Sequence, residues 1–464
     1  MKRFSAEEIA RVTAARNGDA RSAAHSARIV TDSRTLERGD AFLALHGEKF
    51  DGHDFLAEAF ARGAALAIID RPEAAIPGKP TLLVDDTLVA YMALASAARA
   101  SFRGHVIAIT GSSGKTTTKH LLAQMLRARY GERLHATSAN ENNEIGVSKL
   151  LLETRDDHDV IVVEMGARKF RDIHALVEIA QPHFGLLTNV GEAHLEIVGS
   201  RERLAETKWG LFSTGAAPLL NARDRVSQHR AATLGTIPHW YDAMEQDRDD
   251  IVRAPFTALI GDEIVVHREL NGRPRRLKTE LFLPGHHNRV NAAGAAAAAI
   301  ELGFTLEELA EILPLLTLPE GRYQRHEIPD FITIVYDAYN ANASSMRAAL
   351  DAFAGERGTR HIAVLGSMAE LGDESERLHE TVGEYILPGN IDEVLVGGEF
   401  ADAMERGALR AGFPRDHISH FNDNHCAARW LLERAKIGDV VLLKGSRRYH
   451  MEEILDEVRT ACGA

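Results

Sequence analysis

The sequence predicts an α/β protein of three units. These are a small α/β unit over residues 1–103, a central, mostly parallel sheet of P-loop type over 104–318, and a C-terminal doubly wound, Rossmann-like unit over 319–464. Three observations carry this expectation. A chain of 464 residues has the length of about three domains at roughly 150 residues each. Short apolar, β-branched runs alternate with helical patterns along its whole length, as they do where sheets are wound with helices. "LPLLTLPEGRYQR" (Leu313–Arg325) is a Pro- and Gly-containing join between two such series.

The elements follow in order. In the first unit "DAFLALHG", "ALAIID" and "TLLVDD" read as strands, and "HDFLAEAFARGA" between them as a helix. In the second, "HVIAIT", "DVIVVEMG" and "FGLLTNV" read as buried parallel strands, which need apolar residues on both faces. "NAAGAAAAAIELGF" (Asn291–Phe304) is an alanine-rich helix, expected to pack in the interior because it has no polar face. In the third, "FITIVYDAY", "RHIAVLGSM", "DEVLVGG" and "DVVLLKGS" are four strand signals, each followed by a helical pattern. No fixed-period repeat and no low-complexity linker interrupts these units.

Composition narrows the function. Hydrophobic residues make up 45% and charged residues 26%, a globular balance with material for several cores. The net charge of −13, from 54 basic and 67 acidic residues, argues against a nonspecific nucleic-acid binder, which presents a basic face. It leaves anionic small ligands open, since a cleft's local field differs from the net charge. Cys426 and Cys462 form neither a CxxC metal site nor a disulfide framework, which points to a reducing cytoplasm. No signal-peptide core or membrane-length apolar run is evident, so no membrane partner is expected.

The chemistry begins at "TGSSGKTT" (Thr110–Thr117). The standard P-loop has four residues between its glycines; here Gly111 and Gly114 flank only Ser112 and Ser113. A strand, a glycine turn, Gly114-Lys115-Thr116 and a helix remain, so the backbone N–H groups of a helix start, with Thr117 among them, can face phosphate oxygens. Lys115 then sits over the β/γ-phosphates and Thr116 is placed to ligate Mg²⁺. Magnesium takes few protein oxygens and fills its shell with phosphate and water. Glu164 ends a strand in "VIVVEMGA", where ligand sites of wound sheets lie, and is either a metal ligand or a surface acid. His194 in "LLTNVGEAHLE" is likewise a ligand or a structural histidine. Lys208 in "RLAETKWGLF", taken alone, reads as a solvated helix lysine.

Taken together, these stretches resemble the Mur ligase family, the ATP-dependent amide-forming ligases of peptidoglycan precursor synthesis. The resemblance spans essentially the whole chain: "TDSRTLERGDAFLALHGEKFDGHDF", "AITGSSGKTTTKHLL", "NENNEIGVSKLLLE", "VIVVEMGA", "TNVGEAHLE" with Lys208, "GHHNRVNAA", "EGRYQR", "YDAYNANASSM", "LGSMAELGDES" and "LLKGSR", in family order. It implies phosphorylation of a carboxylate by ATP, attack of an amine on the acyl phosphate, and release of phosphate from a tetrahedral intermediate. It also implies roles for particular residues. Lys115 and Thr116 belong to the phosphate loop, and Glu164 and His194 are metal ligands. Lys208 is a carbamylated lysine helping to hold a second Mg²⁺. Asn288 and Asn291 lie on the adenine side, Arg322 faces phosphate and Asp337 faces ribose.

Within the family, the first unit resembles a UDP-binding domain. There Ser33 and Arg34 of "TDSR" would meet the diphosphate or uracil, unless that stretch is only a capped turn. Asn140, Asn142 and Asn143 would approach the sugar and its phosphates, and Asn340 and Lys444 would lie on the substrate side. "DAYNANASSM", "GSMAELGDES" and "LKGSR" are most similar to the members that join D-alanyl-D-alanine to UDP-N-acetylmuramoyl-tripeptide, and the Asp-Asn-Pro-Arg motif of the diaminopimelate-adding members is missing. The implied enzyme is a cytoplasmic monomer that closes about a hinge near Pro319–Arg322.

Four departures from the family pattern stand out: Ala139 where glycine is usual, Ser148 where proline is usual, Trp-Gly-Leu-Phe after Lys208, and Tyr336 where a second aspartate is common. They leave room for a related ligase using another amine or acceptor, as folylpolyglutamate synthetases do. A nucleotide-binding switch is the reading from a different class; it would hydrolyse ATP without any acceptor.

Overall fold

A computed structural model describes residues 1–18, 26–47, 50–191, 200–245, 255–268, 273–386 and 390–463. Three sheets follow one another along the chain. The first has five strands: β1 (Asn17–Gly18), β2 (Ile29–Val30), β3 (Ala41–Leu43), β4 (Leu66–Ile69) and β5 (Thr81–Leu83), in the order β1-β5-β4-β3-β2. All its pairings are parallel except β1 with β5. The three strands expected from sequence are β3, β4 and β5. The two added ones are two-residue strands, too short to leave a periodic signal.

The central sheet has nine strands: β6 (His105–Thr110), β7 (Leu134–Ala136), β8 (Val160–Glu164), β9 (Phe184–Leu187), β10 (Ala217–Asn221), β11 (His239–Met244), β12 (Phe256–Ile260), β13 (Glu263–His267) and β14 (Arg275–Lys278). Their order is β14-β13-β12-β11-β10-β9-β6-β8-β7. Every pairing from β7 to β12 is parallel, and β13 and β14 extend the sheet as an antiparallel hairpin. β8 is buried along its whole length, and only His105 of β6 and Phe184 of β9 are not, as parallel strands covered on both faces require.

The alanine-rich helix is His286–Glu301, buried from Val290 to Ile300 against the helix Lys115–Tyr130 and strands β10–β12. Its small side chains permit that approach: a Cβ on Gly294 would press into the Tyr241 ring, whose hydroxyl donates to Leu187 O at 2.7 Å. The first unit docks through its last helix, Thr87–Ser101, against helices Glu144–Glu153 and Asp172–Ala180. There the buried Arg99 donates to the carbonyls of Ala180 (2.7 Å) and Gln181 (2.8 Å), which lie at the C-terminal end of a helix, where a cation is favoured.

The third sheet has six strands: β15 (Gln324–Glu327), β16 (Thr333–Tyr336), β17 (His361–Gly366), β18 (Glu393–Gly397), β19 (Ile418–Phe421) and β20 (Val440–Lys444), in the order β15-β16-β20-β17-β18-β19. It is parallel except at β15, with apolar clusters on both faces, which makes it doubly wound. The sequence signals correspond to β16, β17, β18 and β20. β15 is a polar edge strand, and β19, Ile-Ser-His-Phe, is a short edge strand without apolar alternation. Gln124 fastens the approach to this unit, accepting from Thr317 N (3.1 Å) and donating to Thr317 O (2.8 Å). No helix among the described residues is long and apolar enough to cross a membrane.

At the β7 edge the rings of His135 and His158 stack at 4.8 Å. Burial, with His158 alongside, pushes His135 down to about 4, and burial lowers His158 as well. Between pH 6.5 and 4 the unfolded chain therefore takes up a proton at this residue that the folded chain refuses, so the contribution of His135 to stability falls as pH drops through that window and is level above it. Thermal unfolding of His135→Gln is expected to lose less across the window than the unsubstituted chain; equal slopes would remove these imidazoles from the acid response.

Candidate active site

From Thr110 at the end of β6 the chain turns through Gly111–Gly114 into the helix Lys115–Tyr130. The turn admits no side chain at either glycine. A Cβ on Gly111 would overlap the Thr188 hydroxyl, and one on Gly114, at φ +80, would overlap the Asn291 amide. The residues after β9 brace the loop. Thr188 Oγ1 donates to Ser113 O (2.6 Å), Asn189 Oδ1 accepts from Ser113 N (3.2 Å), and Asn189 O accepts from Ser112 N (2.9 Å). Ser112 Oγ accepts from Gly191 N at 2.9 Å. Lys115 folds back so that its Nζ donates to Gly111 O (2.9 Å). The result is a cradle of helix-start amides closed by protein on one side and open to a cleft on the other, which suits a phosphate chain.

Behind the loop, Glu164 at the end of β8 is 1% exposed. Its Oε1 accepts from Thr116 Oγ1 (3.2 Å) and Asn142 Nδ2 (2.9 Å). Lys119 Nζ lies 3.3 Å from Oε2 as an ion pair without hydrogen-bond geometry, and one of its N–H groups donates to Ala139 O (3.0 Å). Oε2 thus pairs with a charge yet keeps its hydrogen-bonding capacity unused, which fits a cation ligand.

Lys208, on the helix Arg201–Trp209, is 1% exposed, so the solvated-lysine reading is corrected. Its Nζ has no hydrogen-bond partner among the described residues. Burial and the Lys115 charge hold it well below the usual lysine range, against the pull of Asp172 and Glu164. A buried, unpartnered amine at a strand-end site is costly and calls for a ligand or modification. His194 lies outside the described residues.

The cleft, of about 840 Å³, lies where the carboxyl ends of the central and third sheets meet. From the central side it is lined by the phosphate loop, Asn140, Asn288 and Asn291. From the third it is lined by Arg322, Asp337, Asn340 and Lys444. Asp337 follows β16 and Lys444 ends β20, and they form a buried ion pair at 2.7 Å. Tyr323 N also donates to Asp337 Oδ1 at 3.2 Å. The next helix, Ala343–Ala354, is capped by Asn342, which leaves Asp337 to the cleft. The Arg322 guanidinium rests over the Tyr339 ring at 4.5 Å, and its Nε has no hydrogen-bond partner among the described residues. Asn288 donates to Pro284 O (2.8 Å), while Asn340 turns its amide oxygen to Ala341 N (2.9 Å).

Other predicted residues lie elsewhere or are engaged by the protein. Ser33 and Arg34 are in the first unit and do not line this cleft. Asp32 caps the turn Ser33–Thr35 and holds the Arg34 guanidinium at 2.7 Å, so "TDSR" is a capped turn with an exposed arginine. Asn143 Oδ1 caps the helix Glu144–Glu153 through Gly146 N (3.0 Å). Sequence reasoning missed Arg168, Arg223, His286, His287, Tyr339, Arg447 and Arg448 in the lining. His286 and His287 open a helix directly after Gly285, and Arg447 follows "KGS"; both stretches had been singled out without these residues.

Comparison with known proteins decides the family. Residues 25–100 match the Mur ligase family catalytic domain, 109–299 the Mur ligase middle domain, and 321–447 the "Mur ligase, glutamate ligase domain". The chain is 34% identical over 447 residues to a UDP-N-acetylmuramoyl-tripeptide–D-alanyl-D-alanine ligase of Bacillus subtilis, covering 93% of this chain and 92% of that one.

The chain is a Mur ligase.

An Escherichia coli protein of the same name is 33% identical over 437 residues, with 92% of each chain covered. Among solved structures, MurF from Acinetobacter baumannii matches with a TM-score of 0.83 and 29% identity over 99% of both chains. MurF from Thermotoga maritima in complex with ADP matches with a TM-score of 0.79 and 29% identity, over 94% of this chain and 98% of that one.

Two departures of this Mur ligase from the family pattern have a physical account. Ala139 sits at φ +40, left-handed backbone that glycine adopts freely, and its carbonyl receives Lys119. After Lys208, Trp209 packs edge-on against Phe212 at 5.1 Å, and Leu211 and Phe212 join the core. Ala139→Gly is expected to stabilise the protein by about 0.5–1 kcal/mol, read as a higher denaturation midpoint. An unchanged or lowered midpoint would show that Ala139 carries no strain.

Proposed function

We propose that this Mur ligase joins D-alanyl-D-alanine to UDP-N-acetylmuramoyl-tripeptide at the expense of ATP, in peptidoglycan precursor synthesis. The observation that carries the proposal is the meeting of the phosphate loop with the third-unit cations across one cleft, in a chain related along 92–93% of its length to enzymes of that name. The acceptor carboxylate takes the γ-phosphoryl group, giving an acyl phosphate and ADP. The dipeptide amine adds to the acyl carbon. The tetrahedral intermediate then breaks its C–O bond to phosphate, and the proton lost by the amine nitrogen is balanced on the departing hydrogen phosphate.

Each residue has a part consistent with its surroundings. The amides of Gly111–Thr117 cradle the phosphates, and Lys115 neutralises their charge. Arg322, whose Nε is unpartnered, faces the transferring group from the third unit. Asn288 and Asn291 border adenine, and Asp337, already steadied by Lys444, is left to meet ribose. Ser33 and Arg34 serve the UDP end, and Asn140, Asn142 and Asn143 the sugar phosphates, with Asn143 offering its NH₂ because its oxygen caps a helix. Asn340 and Lys444 lie toward the amine substrate.

Thr116, Glu164 and His194 would hold Mg²⁺, and Lys208, carbamylated, a second one. The metal's charge supplies electrostatic stabilisation of the transferring phosphoryl group. Burial favours the neutral Lys208 amine, the form that adds CO₂ and loses a proton to become a carbamate. The residues divide into a UDP-sugar unit (1–103), an ATP unit (104–318) and a ligase unit (319–464). A cleft completed within one chain suits a monomer, and free thiols suit the cytoplasm.

Phosphate release from ATP and Mg²⁺ is expected only when both UDP-N-acetylmuramoyl-tripeptide and D-alanyl-D-alanine are present. Release with neither would make the chain an NTPase switch, and release only with another amine or acceptor would overturn the substrates. Lys208→Ala is expected to lose activity and to regain part of it with a short added carboxylate such as acetate; unchanged activity of the variant would sink the carbamate.

A further inference from the structure

We propose that Arg447 binds the terminal carboxylate of the incoming dipeptide and that Tyr339 positions it. This rests on the assignment of the amine substrate above. D-Alanyl-D-alanine brings an amine to the acyl phosphate together with a carboxylate of its own. That carboxylate needs a cation near the phosphates but not spent on them.

The lysines and arginines of the cleft narrow to one. Lys444 is buried against Asp337. Arg223 donates to Asp242 Oδ1 (2.6 Å) and Ala243 O (2.7 Å). Lys115 and Arg322 flank the phosphate site, and Arg168 belongs to the central side. Arg447 and Arg448 remain on the third-unit side, and neither makes an ion pair among the described residues. Of the two, Arg447 alone is held: its guanidinium lies 5.1 Å from the centre of the Tyr339 ring, the ring that also carries Arg322 at 4.5 Å.

One aromatic ring thus gathers two positive groups that would otherwise repel each other. Their guanidinium carbons are at most about 10 Å apart, given those two distances. Two guanidiniums this close let one meet the transferring phosphoryl group while the other meets a carboxylate brought in beside it.

The base of Arg447 is rigid. A Cβ on Gly445 would press on the Met451 sulfur and the Gly366 backbone, so the loop after β20 lies tight against the end of β17. Asn424 Nδ2 donates to Tyr449 O (2.9 Å) and His450 O (3.0 Å), fixing the far side of the turn Arg447–Tyr449. Tyr339 is anchored by its own N–H to Gly321 O at 3.2 Å. An exposed guanidinium on a rigid turn, resting by an aromatic ring, presents paired donors to a carboxylate.

The test compares D-alanyl-D-alanine with its C-terminal carboxamide in the complete ligase reaction. For the unsubstituted enzyme, KM is expected to be about 10- to 100-fold higher for the amide, the value of one charge-assisted hydrogen-bonded contact. Arg447→Gln is expected to raise KM for the dipeptide to that of the amide while KM for ATP keeps its value. Arg447→Lys should retain part of the discrimination, and Arg448→Gln all of it. Tyr339→Phe should preserve the preference, whereas Tyr339→Leu should lose it through KM. Full discrimination in Arg447→Gln, its loss in Arg448→Gln instead, or an equal rise of every substrate's KM in Arg447→Gln would overturn the proposal. Turnover with neither donor by the unsubstituted enzyme would overturn the substrate assignment, and the proposal with it.

Discussion

A carboxylate with almost no access to water organises this protein. Taking Glu164 out of solvent is expensive unless opposite charge and hydrogen-bond donors surround it. Two separate stretches supply them: the phosphate-loop helix, through Thr116 and, one turn further along, Lys119, and the loop before Glu144–Glu153, through Asn142. Each of those stretches is thereby held at the carboxyl end of β8. Lys119 reaches back to Ala139 O as well, so one lysine ties the helix to both the acid and the asparagine loop. The leftover capacity of Glu164 Oε2, with Lys208 nearby and unpartnered, leaves one pole of the site electrostatically incomplete in the protein alone.

The other pole is basic and belongs to the third sheet. Its parallel strands β16, β20 and β17 aim their carboxyl ends at the phosphate loop, and Arg322, Lys444 and Arg447 arrive from or beside those ends. A chain of net charge −13 thus keeps a cationic wall where a nucleotide would lie. Local field, not total charge, governs what such a cleft attracts. Within that wall the cations differ in what they can do. Lys444 is neutralised by Asp337 and stiffens the strand ends, whereas Arg322 and Arg447 share an aromatic ring and stay available to ligands.

Linkage between the units is equally uneven. The first unit is bonded to the central one through the core around helix Thr87–Ser101 and by Arg99 capping the carbonyls after Asp172–Ala180. The third is reached through Thr317, fastened by Gln124, and then through Pro319–Arg322, where Gly321 turns at φ +70. Covalent and hydrogen-bonded restraint is therefore concentrated just before the segment from which Arg322 enters the cleft.

The amino-acid sequence by itself determined the elements whose physics is local. Buried parallel strands announce themselves as β-branched runs, a phosphate cradle as glycines before Gly-Lys-Thr, and an interior helix as alanines on every face. Family motifs in order supplied the chemistry. The tertiary structure alone decided what depends on neighbours distant in sequence. Lys208 has the local pattern of a solvated residue and is buried by its tertiary surroundings, within reach of the charges of Lys115, Asp172 and Glu164. Asp337 and Lys444 are 107 residues apart and become a pair because β16 and β20 are adjacent. Arg447 and Arg322 meet on Tyr339 for the same reason. The edge strand β15, Gln-Arg-His-Glu, carries no apolar signal, since its place in the sheet is set by a neighbour's hydrogen bonds rather than by burial. Periodicity reports which face of an element is dry; only packing reports which charges end up face to face.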